Sequence, residues 1–269
     1  MNRESKLAEL RAQQDEYYCR GDLEIDGVPL TEKSIVTIIA ATGVGKSTIT
    51  KRILELAEEQ GVSACEGGTD TTRPHRADDG ATYRTDVPLD EMASRIDNQE
   101  YANWSVTPSG HIYATPIESL KGEHNFLPCL PESYKMLRRA EIKNRLSLKS
   151  GFATLQAFYL VTTCEAWDAQ IESRKTLRDF PGRIEEAMES LEFGYKTNAL
   201  QKLVSLPDTE GENTQVTKTA QTILDFARAG KRFDANQFTL HDQEREFKRR
   251  NSEMYRWAII LGQQYGQTA

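Results

Sequence analysis

The sequence is poor in the residues that build metal centres and disulfide frameworks. Its 269 residues include only four cysteines (Cys19, Cys65, Cys129 and Cys164) and four histidines, with no CxxC pair and no ligand-type spacing. Scattered thiols of this kind fit a reduced, partly buried set, so neither a zinc site nor a disulfide scaffold is expected. Long apolar runs are missing too, and none approaches the length that spans a bilayer. The first residues, Met1-Asn-Arg-Glu-Ser-Lys6, lead into no apolar stretch of signal-peptide length, which makes a cytoplasmic location the expectation. Excess positive charge is also lacking. The formal charge of −7 argues against coating a nucleic-acid polymer or a membrane surface, while leaving room for a local basic pocket. What is present is a hydrophobic fraction of 38%, enough for a core in a chain of this length.

Residues 1–33 are charged and mixed and read as an N-terminal extension, with a short helix over Lys6–Tyr18 and a turn-rich stretch over Gly21–Pro29. Ser34–Ala41 is a continuous apolar, β-branched run, the pattern of a strand buried on both faces in a parallel sheet. Lys46–Gln60 then sets Ile49, Ile53, Leu54 and Leu56 at helical spacing, and Gly61 stops it. Val62–Cys65 reads as a second strand. Residues 69–116 are rich in Thr, Arg, Gly and Tyr and predict short strands and loops around an acidic helix at Asp90–Asp97. Further on come a basic helix (Ser133–Leu148), a strand (Ala153–Thr163), a helix over Trp167–Phe193 interrupted at Pro181-Gly182, a short strand (Gln201–Ser205) and a helix (Thr217–Ala229). The tail, 231–269, is polar until Met254–Leu261, which reads as a helix docking on the body, with a partner-binding helix as the lesser alternative. Alternating strands and helices indicate an α/β fold with a parallel sheet.

Between the first strand and first helix lies Thr42-Gly-Val-Gly-Lys-Ser47. A phosphate cradle needs small residues, so that backbone N–H groups can point inward, and a following helix whose positive end faces the anion. Thr42, Gly43, Val44, Gly45, Lys46, Ser47 and Thr48 meet both demands and are the candidate ATP-binding set. Lys46 would reach the β/γ-phosphates and the Ser47 hydroxyl would bind Mg²⁺. Ala40 stands where the usual pattern opens with Gly, at the strand end, where a methyl group is tolerable.

About two dozen residues on comes Thr69-Asp-Thr-Thr-Arg-Pro-His-Arg76, then Asp79-Gly-Ala-Thr-Tyr83, Asn98-Gln-Glu-Tyr-Ala-Asn-Trp104 and Gly110-His-Ile-Tyr-Ala-Thr-Pro116. Arg73 and Arg76 flank a Pro and are suited to clamp one phosphate with charge-assisted forks, with Tyr83 and Tyr113 adding hydroxyl donors. Each piece alone favours an exposed basic turn. Together, in this order, they resemble the guanylate kinase family over roughly residues 34–230, strongly through 116 and in outline afterwards.

That resemblance implies a P-loop core (34–68 and 117–230), an antiparallel acceptor-binding insert (69–116), and a helical lid at about 167–193. It implies ATP and Mg²⁺ as cofactors and a nucleoside monophosphate as acceptor, with GMP or dGMP first. Arg73, Arg76, Tyr83 and Tyr113 would hold the acceptor phosphate, and Thr69, Asn103 and Thr115 would recognise the base. Lys46 would act in catalysis with the lid arginines Arg174 and Arg183. The sequence departs from the family in three places. Asn103 replaces a base-reading Glu, so a different or modified nucleotide, or a phosphorylated sugar, stays open as acceptor. Asn125-Phe-Leu-Pro-Cys-Leu-Pro131 has no carboxylate where the family has two, leaving Asp70 or Glu132 as substitutes. The family's Tyr-Gly-Thr-Pro is here Tyr113-Ala-Thr-Pro116. A catalytically weak nucleotide-binding switch or scaffold is the alternative of a different class.

Overall fold

The computed structural model describes residues 2–17, 24–25, 28–29, 32–76, 79–147, 154–172, 180–197, 200–205, 214–230 and 241–266. In chain order the elements are α1 (Arg3–Gln13), β1 (Glu24–Ile25), β2 (Val28–Pro29), β3 (Ser34–Ile39), α2 (Lys46–Glu59), β4 (Ala64–Glu66) and β5 (Thr69–Thr71). Then come β6 (Tyr83–Arg84), α3 (Leu89–Asp97), β7 (Tyr101–Val106), β8 (Ile112–Pro116), β9 (His124–Cys129) and α4 (Pro131–Ser147). The remainder is β10 (Thr154–Val161), α5 (Cys164–Glu172), α6 (Phe180–Lys196), β11 (Gln201–Val204), α7 (Thr214–Ala229) and α8 (His241–Gly266). Five strands form one sheet in the order β11-β10-β3-β9-β4, and the pairs β4–β9 and β10–β11 are parallel. Every residue of β3 is buried, including Ser34, whose hydroxyl bonds the Thr154 hydroxyl at 2.8 Å, and Thr37, which donates to the Gln156 carbonyl at 3.2 Å. The fold is α/β.

The chain divides into two compact units: residues 1–35, 63–127 and 132–155, and residues 36–62, 128–131 and 156–269. In the first unit a four-stranded sheet runs β6-β5-β8-β7, antiparallel except for β5–β6. Its core gathers Leu7 and Leu10 of α1, Met92, Ala93 and Ile96 of α3, and Trp104, Ile112 and Ala114 of the sheet. The expected helix over Lys6–Tyr18 begins three residues earlier, where the Asn2 side chain caps it by accepting from Ser5 N–H at 2.8 Å, and it ends at Gln13.

In the second unit α2 packs on α7 and α6 packs on α8. Phe247, Asn251, Met254, Ala258 and Leu261 are buried along α8 at alternating spacings of four and three, the stripe that lays one helix along another. Asn251 donates to the Leu191 carbonyl at 2.9 Å, and Gly262 lies against Ile184 and Met188, so α6 and α8 run antiparallel. Pro181-Gly182 does not interrupt a helix: α6 starts at Phe180, so Pro181 sits in its first turn, where its missing N–H costs no helical bond. β4 starts at Ala64, two residues later than the Val62–Cys65 pattern suggests. Among the described residues no helix is long and apolar enough to cross a membrane.

Candidate active site

In the second unit the loop between β3 and α2 holds Gly43 at φ 82° and Gly45 at φ 95°. Both lie in the left-handed region that glycine alone enters without strain, which is why this turn carries glycine at those two points. Ala40 is fully buried and is not among the residues with positive φ, so the first position of the pattern does not need glycine here. Thr42 and Val44 are buried, while Ser47 and Thr48 are exposed on the first turn of α2. The Lys46 ammonium donates to the carbonyls of Ala40 at 2.7 Å and Ala41 at 3.3 Å. The helix start, the two glycines and the lysine thus gather in one loop, as the sequence pattern implies.

In the first unit the register of the four-stranded sheet sorts side chains by face. Thr69 pairs with Tyr83, Thr71 with Tyr113, Asn103 with Thr115, and Ser105 with Tyr113. Directly opposed residues share a face, and alternation along a strand keeps residues two apart together. Thr69, Tyr83, Tyr113, Thr115 and Asn103 therefore stand on one face, opposite the core formed with α1 and α3. The structure brings five of the expected acceptor residues together on one surface.

Arg73 joins that face differently from the sequence expectation. Its guanidinium is buried and makes a two-pronged ion pair with Asp79, donating to Oδ2 at 2.8 Å and to Oδ1, and it donates to the Pro74 carbonyl at 2.9 Å. It lies 5.5 Å from the Tyr83 ring centroid and 5.9 Å from that of Tyr113. Its Nε–H is buried and has no hydrogen-bond partner. Asp79 also accepts from the Arg76 N–H at 2.7 Å, closing the turn that carries both arginines. Hydrogen bonding from Arg73 holds the Asp79 carboxyl below its ordinary value of 3.8.

Asn103 is 2% exposed, and its Nδ2 has no partner. Nearby stands a residue the sequence pattern did not single out. Glu66 ends β4, and burial raises its carboxyl above the ordinary value, with a hydrogen bond to Thr82 opposing the shift. A side chain on the adjacent Gly67 would meet the Thr115 methyl at 3.2 Å, so β4 ends beside the Asn103–Thr115 pair. Burial first, then the charges of Glu66 and Tyr113, push the Tyr83 hydroxyl up to about 12, so it remains a donor at neutral pH. Asp79 opens the Asp79-Gly-Ala-Thr-Tyr83 segment, which by itself gave its carboxyl no role, and Glu66 lies outside every segment that the sequence singled out.

Asp70, one candidate for the missing carboxylate, is not available for that task. It is buried in the first unit, with Oδ2 taking Arg95 at 2.6 Å and Tyr101 at 2.9 Å, and Oδ1 taking Arg84 at 3.3 Å. Glu132 pairs with Lys135 at 3.0 Å on the first turn of α4. Among the described residues no group of three or more His, Cys, Asp or Glu is placed to hold a metal ion. Arg183 is buried on α6, whereas Arg174 lies outside the described residues.

Residues 32–145 match the family model for guanylate kinase. Among solved structures, the crystal structure of guanylate kinase from Anaplasma phagocytophilum is similar at 15% identity and a TM-score of 0.46, covering 74% of this chain and 86% of that one. No curated protein matches the sequence.

Proposed function

We propose that this chain, whose residues 32–145 match the guanylate kinase family, catalyses ATP-dependent phosphoryl transfer to a nucleoside monophosphate, with GMP or dGMP the first acceptor. The observation that carries this reading is a pair of orphaned buried donors, Arg73 Nε and Asn103 Nδ2, in the unit that holds the acceptor face. A buried donor without a partner costs on the order of 1–3 kcal/mol, a cost that a ligand relieves. A phosphate oxygen at Arg73 and a base carbonyl at Asn103 match these donors. Tyr83, Tyr113 and Arg76 then serve the phosphate, and Thr69 and Thr115 the base. Glu66 supports a 6-oxopurine, because its carboxylate accepts from ring or exocyclic N–H while Asn103 donates to the oxygen.

ATP is held by the Thr42–Thr48 loop and the start of α2, with Lys46 neutralising the β/γ-phosphates. Mg²⁺ supplies further charge neutralisation there when bound, and the Ser47 hydroxyl would hold it with phosphate oxygens and water, the mixed shell that this ion favours. Phosphoryl transfer asks mainly for alignment and electrostatic stabilisation, which these groups provide together with Arg183 and Arg174. A second reading keeps this chemistry and changes the base. Asn103 favours it, since an amide pairs with other bases where the family's carboxylate selects guanine.

A coupled ADP-release assay across purified nucleoside monophosphates tests both. Turnover that is highest with GMP or dGMP is the expected result, and a preference for another base selects the second reading. ATP binding without turnover on any acceptor would leave the switch or scaffold as the explanation. Arg73→Ala is expected to raise the acceptor KM on the order of tenfold or more while sparing ATP affinity. Equal loss of both would contradict the assignment.

A further inference from the structure

Trp167 of α5 has no part in the reading above, yet it is fully buried and its indole N–H donates to the Thr42 carbonyl at 2.7 Å. That carbonyl and the Gly43 N–H belong to one planar trans peptide, in which the two groups point in opposite directions. Holding the carbonyl against α5 therefore aims the Gly43 N–H the other way. Trp167, Gln170 and Ile171 fill the side of the loop where a Gly43 side chain would stand, each 3.5 Å from that position. The neighbouring residue on α5, Asp168, accepts from the indole N–H of Trp257 on α8 at 2.7 Å. A chain of two hydrogen bonds thus runs from α8 through α5 to the backbone of the phosphate loop, all within the second unit.

We propose that α8 is a working part of the nucleotide site. Trp257 holds Asp168, α5 thereby holds Trp167 on the Thr42 carbonyl, and the loop keeps the Gly43 N–H turned toward the phosphates of ATP. Trp257, Asp168 and Trp167 are positioning residues, because they act through the loop and not on the nucleotide. This rests on the reading of Thr42–Thr48 as the ATP site.

The test is calorimetric titration of the full-length protein with ATP and Mg²⁺, beside a thermal melt of each variant. Trp257→Phe removes the N–H while keeping a ring, Asp168→Ala removes the acceptor, and Asp168→Asn keeps an oxygen in place. Trp257→Phe and Asp168→Ala are expected to weaken ATP binding about threefold to fivefold, the scale of one hydrogen bond, with little change in melting. Asp168→Asn should stay near the native affinity. The proposal is overturned if Trp257→Phe and Asp168→Ala bind ATP like the native chain, or lose stability without losing affinity. It also fails if Asp168→Asn is as weak as Asp168→Ala. A native chain that does not bind ATP at all refutes the ATP site itself, a result separate from either.

Discussion

Two carboxylates of the first unit are held in opposite electrostatic states, and their difference is measurable. Asp79 lies below its ordinary 3.8, first because Arg73 donates to it. Its stabilisation is therefore full above that value and is lost as pH falls through the lowered one. Glu66 lies above its ordinary 4.5, first because burial disfavours the anion. Its contribution is full below 4.5 and is lost as pH rises through the raised value. In thermal melts recorded across pH, Glu66→Gln should melt higher than the native chain at about pH 7 and lose part of the decline with rising pH. A lower melting point there would contradict a desolvated carboxylate. Asp79→Asn should destabilise by about 3 kcal/mol at the same pH, because it leaves the Arg73 charge buried without its partner. That penalty should shrink as pH falls below the lowered value, where the native Asp79 is protonated too. If Glu66 also reads the base, Glu66→Gln raises the acceptor KM while raising stability, the trade expected when a strained group is kept for function. The sequence offered Arg73 as a candidate phosphate ligand but hid its fork on Asp79, because two residues six apart meet only once the turn is closed.

The elements that the sequence revealed most clearly are those with one strong local pattern. Ile35, Val36, Ile38 and Ile39 marked β3, and the glycines of the loop followed from the positive φ they had to supply. The four-stranded sheet of the first unit was legible only as short strands, because its register depends on partners far apart in sequence. Nothing local to Asn103 shows that it faces Thr115, or that Thr71 faces Tyr113. Alternation becomes informative only after pairing is known. Gly194 makes a similar point within α6. A methyl group there would stand 2.5 Å from the ring of Tyr159, which is fully buried and donates to the Ser190 carbonyl at 2.7 Å. Helix propensity favours alanine at this site by about 1 kcal/mol, but the overlap with an aromatic ring inside the core outweighs it. Gly194→Ala should therefore lower stability by about 1–3 kcal/mol in denaturant unfolding. Stabilisation would show that the ring moves freely.

At the scale of the whole chain, residues 231–269 read from sequence as an extension, since their polar residues obscure the buried stripe that begins at Phe247. The packing of α8 makes it part of the second unit's core. Phe247, Met254 and Leu261 are buried along α8, Phe247 meets the Tyr159 ring edge-on at 5.8 Å, and Lys202 of β11 sits 5.4 Å from the Phe247 ring. Losing each of the three large apolar side chains costs about 2–5 kcal/mol, and a whole domain is stable by only about 5–15 kcal/mol. A chain ending at residue 240 is thus expected to leave the second unit unfolded, with Ile184, Ala187 and Leu191 of α6 exposed to solvent. The first unit has its own core around Trp104, to which no described residue of α8 contributes. Limited proteolysis followed by mass spectrometry separates these outcomes. Rapid cleavage within 156–230, with residues 63–127 surviving longer, matches the expectation. A truncated chain with native helix content, an unshifted melting point and intact ATP binding would show that α8 is an appendage, and would remove the basis for coupling it to the phosphate loop.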